Sequence, residues 1–376
     1  MSTPGARGRT ALICGLLLVL LTGCADSGEG PRWEPGAAAP QTAGSSAPQA
    51  TTAAPAPVTL SATGDIIMGN APSRLPADDG KGFFDSVTKA LAADLVMGNL
   101  EEPLTVDTGT GKCGADATDC YQFRAPPSYA AHLRDAGFQV LNIANNHGYD
   151  FGAAGYANTQ AALEEHGLQH TGPPEQITLT EVGGLTIANV GFSPYFWGNS
   201  VVDITAGKKL VAEAAELADL VVVQAHMGAE GTDRTRVTFE TETFFGENRG
   251  NPVAFSRAMV DAGADLIVGH GPHVLRGMEF YKGKLIAYSL GNFAGGGGTL
   301  STRAELGWGG VLRVSLNPDG SWAGGEFRST YMDGAGLPRM DADARGLQLI
   351  ERVSGADFPE SAPQFGPDGR ITPPAS

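Results

Sequence analysis

Side chains able to bind a metal or move a proton recur in this sequence directly after short apolar runs. Gly64-Asp65 follows 58–63, Asn99-Leu100-Glu101 follows 95–97, and Asn145-Asn146-His147 follows 140–143. His226 follows 220–223, and His270 and His273 follow 266–268. Four of the seven histidines fall in this set. Imidazole, carboxylate and amide donors together suit Zn, Mn, Fe or Ni, whereas Ca takes oxygen ligands. Two such cations about 3.5–4 Å apart lower the pKa of a water between them and stabilise charge on the attacking and leaving atoms, which makes hydrolysis the natural reaction. Each stretch alone has a plainer reading: Gly-Asp after a strand is a turn, and Asn-Asn-His caps a helix. Gly269-His270-Gly271-Pro272-His273 is more specific, because Gly and Pro suit a tight loop that presents two imidazoles to one side. His132, His166 and His170 lie in expected helices or loops and are read as surface residues.

The elements that must position these residues alternate. The apolar runs above, with 186–190, read as strands, and helical patterns occupy 86–92, 127–136, 153–166, 209–217 and 252–262. Gly137, Gly167 and Gly263 stand where helices stop. Such α/β alternation predicts a largely parallel sheet, and in open α/β folds ligands sit at the carboxyl ends of the strands. Asp65, Glu101, Asn146, His147, His226, His270 and His273 would then converge on one crevice though far apart in the chain.

The chain has 376 residues with 41 acidic against 25 basic side chains, a formal charge of -16. That length builds one large or two ordinary domains. The acidic balance argues against nucleic acid and anionic lipid, which need clustered Lys and Arg. Arg7 and Arg9 precede an apolar run over 11–21, about half of what a spanning helix requires, so residues 1–23 are expected to be a secretory signal. Leu21-Thr22-Gly23-Cys24 resembles the lipobox of bacterial lipoproteins, with Cys24 as the lipidated residue. Residues 24–57, rich in Pro, Ala, Ser and Thr, read as a disordered tether. Residues 58–356 read as the folded domain, and 357–376, Pro-rich and polar, as a disordered tail. In an extracytoplasmic setting Cys113 and Cys120 form a disulfide by default, two free thiols being the alternative.

Several stretches carry a resemblance to a known family. They are Thr63-Gly64-Asp65, Ala93 through Glu101, Ala144-Asn145-Asn146-His147 with Asp150-Phe151-Gly152, Ala225 through Glu230, Gly269 through His273, and Tyr288-Ser289-Leu290-Gly291-Asn292-Phe293. In this order they resemble the CapA proteins of poly-gamma-glutamate capsule synthesis, a branch of the calcineurin-like metallophosphatase superfamily. The resemblance implies a four-layer α/β sandwich of two mixed sheets flanked by helices. It implies one or two divalent transition-metal ions, with Asp65 and His273 on the first, Asn146, His226 and His270 on the second, and Glu101 between them. It also implies His147 as the general acid. Two positions depart from the pattern: Ile67 stands where the superfamily has a histidine ligand, and Gly271 replaces the second histidine of His-His-Pro-His.

The leading expectation is a lipid-anchored, extracytoplasmic, metal-dependent enzyme that acts on poly-gamma-glutamate or a similar polymer in its synthesis, export or attachment, alongside membrane proteins of capsule synthesis. A non-catalytic, metal-dependent polymer-binding protein is the second reading, and a solute-binding lipoprotein, which leaves the histidines unexplained, the third. Tyr195, with Phe196 and Trp197, forms a pocket wall or ordinary core. Glu230 orients His226 or is a solvated loop acid.

Overall fold

The computed structural model describes residues 56–106, 111–114, 117–118 and 120–375. The signal, Cys24 and all but the last two residues of the tether lie outside them. Among the described residues, no helix is long and apolar enough to cross a membrane.

Val58–Ile67 is buried along nearly its whole length and forms the middle of the larger sheet. On one side it runs parallel to Leu95–Leu100, which continues through Val140–Asn142 to Gln169–Thr171. On the other side it pairs antiparallel with Trp308–Leu316, which pairs with Trp322–Met332. The second sheet is ordered Met278–Tyr281, Lys284–Ala287, Leu266–His270, Leu220–His226, Leu185–Ser193, Thr178–Val182, with four parallel strands inside and an antiparallel strand at each edge. Runs such as Leu220–His226, buried at every position, are what strands covered on both faces require.

Three apolar cores explain the layering. Leu60, Ala62, Met97 and Val140 of the first sheet meet Ile187, Val222, Leu266 and Val268 of the second. The outer face of the first sheet packs Val96, Leu100 and Leu141 on Leu133 of Ala130–Ala136 and Leu163 of Gly152–Glu165. The outer face of the second packs Val221, Val223 and Ile267 on Val211 of Ile204–Leu217 and on Phe255 and Met259 of Pro252–Asp261. The layers are therefore helix, sheet, sheet, helix. Local chemistry starts the helices: Asp203 accepts from the Ala206 amide, and Asn251 accepts from that of Ala254 with Pro252 in the first turn.

Two expectations need correction, and one helix was not expected. The segment 357–376 folds at least as far as residue 375: Gln364–Phe365 and Arg370–Thr372 extend the first sheet by pairing with each other and with Trp322–Met332. Phe358 and Ile371 are buried, so a few well-placed apolar side chains outweigh the Pro-rich composition. The helix Arg345–Asp357, absent from the sequence reading, buries Leu349, Ile350 and Val353 in the central core. His170 is buried rather than superficial, because it lies on a paired strand, with Glu164 at 3.1 Å from its Nε2.

Candidate metal centre and cavity

The carboxyl ends of both sheets meet at one place. Asp65 does not follow its strand but lies within it, at a register shift where it pairs with Asn292 on one side and Asn99 on the other. Backbones approach closely here: a Cβ on Gly64 would fall 1.8 Å from the Gly291 carbonyl oxygen. The spacing of Gly64-Asp65 and Gly291-Asn292 is thus a packing requirement as well as a chemical one. Glu101 follows its strand directly, while His226 and His270 end neighbouring parallel strands as register partners.

These residues form one buried cluster. Donor atoms of Asp65, Glu101 and His226 all lie within 4.8 Å of one another. His273 Nδ1 is 3.2 Å from Asp65 Oδ2, and its Nε2 is 3.5 Å from Glu101 Oε1. His270 Nδ1 is 3.9 Å from Asp65 Oδ1. Asn99 donates to Asp65 at 2.8 Å and accepts from Asn142 and Asn145, an amide network that fixes the carboxylate. Asn292 Oδ1 holds His273 Nδ1 at 2.8 Å. Gly271, at φ +105, lies against the His226 ring, where a Cβ would meet three ring atoms at 3.0–3.1 Å. This loop geometry leaves no unstrained place for a side chain at the position where the resembled pattern has a histidine.

The electrostatics are unresolved by protein groups alone. Burial lifts Glu101 well above the usual carboxylate range, against the pull of His273. Burial holds His226 well below the ordinary imidazole value and His270 at about 4. Asp65 is lowered to about 2, because the hydrogen bond and charge of His273 outweigh its burial. For His273 burial is likewise outweighed, here by Glu101, Asp65 and Glu230, which raise it well above normal. Both oxygens of Glu101, Nδ1 of His226, both nitrogens of His270 and Oδ1 of Asn146 are buried without a hydrogen-bond partner. Buried polar atoms are ordinarily satisfied, and the unpaired donors of Glu101 and His226, clustered with Asp65 within 4.8 Å of one another, fit a divalent cation. Mixed nitrogen and oxygen donors favour a transition metal.

A cavity of about 590 Å³ opens beside the cluster, lined among others by Asn146, His147, Glu230, Arg249 and His273. Ile67 lines it too and offers no donor. His147 is buried, with Nδ1 on Asp150 Oδ2 at 2.8 Å and its ring 4.6 Å from that of Phe123. Burial lowers its pKa despite Asp150. Asn146 donates to Glu230 at 3.4 Å. Glu230 does not orient His226 directly: it binds Arg249 at 2.8 Å, and Arg249 Nη1 lies 3.5 Å from His226 Nε2. Tyr195 is wall rather than core, stacked on Trp197 at 4.7 Å and donating to Glu247. Cys113 and Cys120 are joined by a disulfide, next to Lys112, which reaches Asp150 at 2.6 Å and His147 Nδ1 at 3.3 Å.

Sequence reasoning named Asp65, Glu101, Asn146, His147, His226, His270 and His273, and the structure brings all seven together. It missed Arg249 and Lys112, which come from irregular segments without periodicity. It also missed the role of Asp150, whose spacing from His147 within one turn was the available signal.

Fold and site together define a four-layer α/β protein with a buried acid–imidazole–amide centre of the divalent-metal type. The chain belongs to the family described as bacterial capsule synthesis protein PGA_cap, whose model matches residues 59–296. It is 34% identical over 222 residues to the PGA biosynthesis protein CapA of Bacillus subtilis, covering 54% of this chain and 52% of that one. It is 36% identical over 183 residues to the capsule biosynthesis protein CapA of Bacillus anthracis, covering 43% and 41%. The chain spans about half the length of the curated relatives it matches. Among solved structures, a 5'-nucleotidase precursor from Thermus thermophilus aligns with 81% of this chain and 59% of its own, at a TM-score of 0.39 and 14% identity.

Proposed function

We propose that this protein is a lipid-anchored, extracytoplasmic, divalent-metal-dependent hydrolase that acts on poly-gamma-glutamate or a similar anionic capsule polymer during its synthesis, export or attachment. The carrying observation is the set of orphaned buried donors lying behind His273 and Asn146, which line one cavity with His147 and its partner Asp150. Asp65, Glu101 and His273 would hold one ion, and Asn146, His226 and His270, with Glu101 shared, a second. An ion bound there supplies Lewis acidity to the bond being cleaved. Asp150 fixes Nδ1 of His147, which leaves Nε2 as the nitrogen that exchanges a proton with the leaving group. Arg249 and Glu230 position His226 and His273 from the far wall. The apolar side chains of Ile67, Trp197 and Leu306 restrict water around the reacting groups.

Ile67 gives a second reading its support. With no imidazole at that position, one ion site is poorer in donors, and a protein that holds a polymer carboxylate at its metals without cleaving it would have the same cluster. Turnover separates the two. Metal-loaded protein is assayed against gamma-glutamyl amides and phosphoesters: hydrolysis of either class supports the enzyme, and polymer binding without turnover supports the binding protein. Anchoring is tested by Cys24→Ser, which should lose acyl labelling and leave the membrane fraction; unchanged membrane retention contradicts it.

A further inference from the structure

A hairpin at the cavity margin carries a residue that its own turn disfavours. Thr243–Phe244 pairs with Glu247–Asn248 as a separate two-stranded sheet, leaving Phe245 and Gly246 as the two-residue loop. Both loop residues have positive φ, 48° and 81°, as a type I′ turn requires. Asn, Asp or Gly serve at the first such position, whereas a bulky aromatic there is a conformational outlier. Core packing does not repay the strain: Phe245 is 88% exposed, and its ring contact is with adjacent Phe244 at 4.4 Å.

The hairpin is nevertheless fastened to the site. The Arg249 guanidinium lies over Phe244 at 5.5 Å and over Tyr195 at 5.7 Å, and Tyr195 donates to Glu247 at 2.6 Å. Phe244, Phe245 and Glu247 line the cavity together with Tyr121, which is 67% exposed and follows the disulfide. Two segments remote in sequence therefore each place an exposed ring on a cavity lined largely by apolar side chains, among which Glu230 and Glu247 are matched by Lys112 and Arg249. Lys112, its side chain 34% exposed and its ammonium paired with Asp150 at 2.6 Å, supplies a partly exposed cation where the cavity passes from these rings to His147.

We propose that Phe245 and Tyr121 form a subsite for an extended anionic polyamide chain, outside the reacting centre. The inference rests on the capsule-polymer reading. Methylene stems of the chain lie on the rings, where apolar contact is gained without burying charge, while a carboxylate reaches Lys112. Strain at a functional residue, retained where packing does not explain it, is consistent with such a role. A longer chain occupies the subsite and a dipeptide does not, so the subsite makes affinity depend on length.

The test uses full-length, metal-loaded protein and two probes, poly-gamma-glutamate of defined length and gamma-glutamyl-glutamate, with Kd measured by calorimetry. Phe245→Asn removes the ring and gives the turn a residue it favours, so the fold should keep its metal content and melt no lower than wild type. The ratio of polymer to dipeptide affinity should fall about five- to tenfold, and Phe245→Tyr should restore it to within about twofold. An unchanged ratio in Phe245→Asn overturns the subsite. So does wild type that binds polymer no better than dipeptide, or a Phe245-dependent affinity for a neutral oligosaccharide in place of polyglutamate. Turnover of the dipeptide, measured in parallel on wild type, reports on the hydrolase reading separately from this ratio.

Discussion

His147 and Asp150, three positions apart in a single turn, share a hydrogen bond from Nδ1 to Oδ2 at 2.8 Å, and the rest of that carboxylate is taken by Lys112 and the Phe123 amide. Asp150 is fully buried, and rotation of the imidazole would remove one of its three partners. If His147 transfers a proton through Nε2, His147→Gln should lose about 10²- to 10⁴-fold in turnover and keep its metal content. Asn146→Ala should lose metal and activity together. Unimpaired turnover in metal-replete His147→Gln rules out the acid role.

Gly271 tests the packing around the second imidazole. Alanine there must adopt φ near +105 and press on the His226 ring. The variant should lose more than about 1 kcal/mol of stability and bind metal more weakly than wild type. Equal denaturation midpoints and equal metal affinity would show that the loop relaxes freely.

Arg276 holds the far wall from behind. It is fully buried, makes two hydrogen bonds to Glu242 at 2.9 and 3.0 Å, and donates to the carbonyls of Ala229 and Arg234. Arg276→Ala leaves Glu242 buried without its cation, so urea denaturation should show a loss of about 3–5 kcal/mol. A loss below about 1 kcal/mol would mean that water replaces the guanidinium.

The buried imidazoles make an acid dependence. His270 is held at about 4 from an ordinary 6.5 by burial. Between those values the unfolded chain takes up a proton that the folded one refuses, so stability falls with pH and is complete only above about 6.5. Denaturation midpoints of metal-free wild type should therefore drop between pH 6.5 and 4, and His270→Asn should show a shallower drop. Parallel curves would contradict this contribution.

The centre was legible because strand periodicity fixes where each apolar run ends, and at that point the next polar side chain is delivered to the crevice. Asp65 shows the limit of the rule, for it reaches the site from within its strand through a register shift that no composition signals. The sequence leaves Glu230 as partner or bystander of His226; the intermediary, Arg249, comes from an irregular segment with no pattern to place it. Two sheets rather than one were implied by family resemblance, since alternation alone does not say which strands pair. The ordered C-terminal strands were missed because Ile371 and Phe365 are isolated apolar residues among prolines, and only a waiting sheet edge makes them informative.

Metal stoichiometry of the purified chain tests the central claim most directly. Elemental analysis after equilibration with Mn or Zn should find one or two ions per wild-type molecule. Glu101→Gln, His226→Ala and His270→Ala should each lower that number and the thermal gain that binding brings. Wild type that takes up no divalent metal, or full occupancy in all three variants, would contradict the assignment of these residues to a shared metal centre.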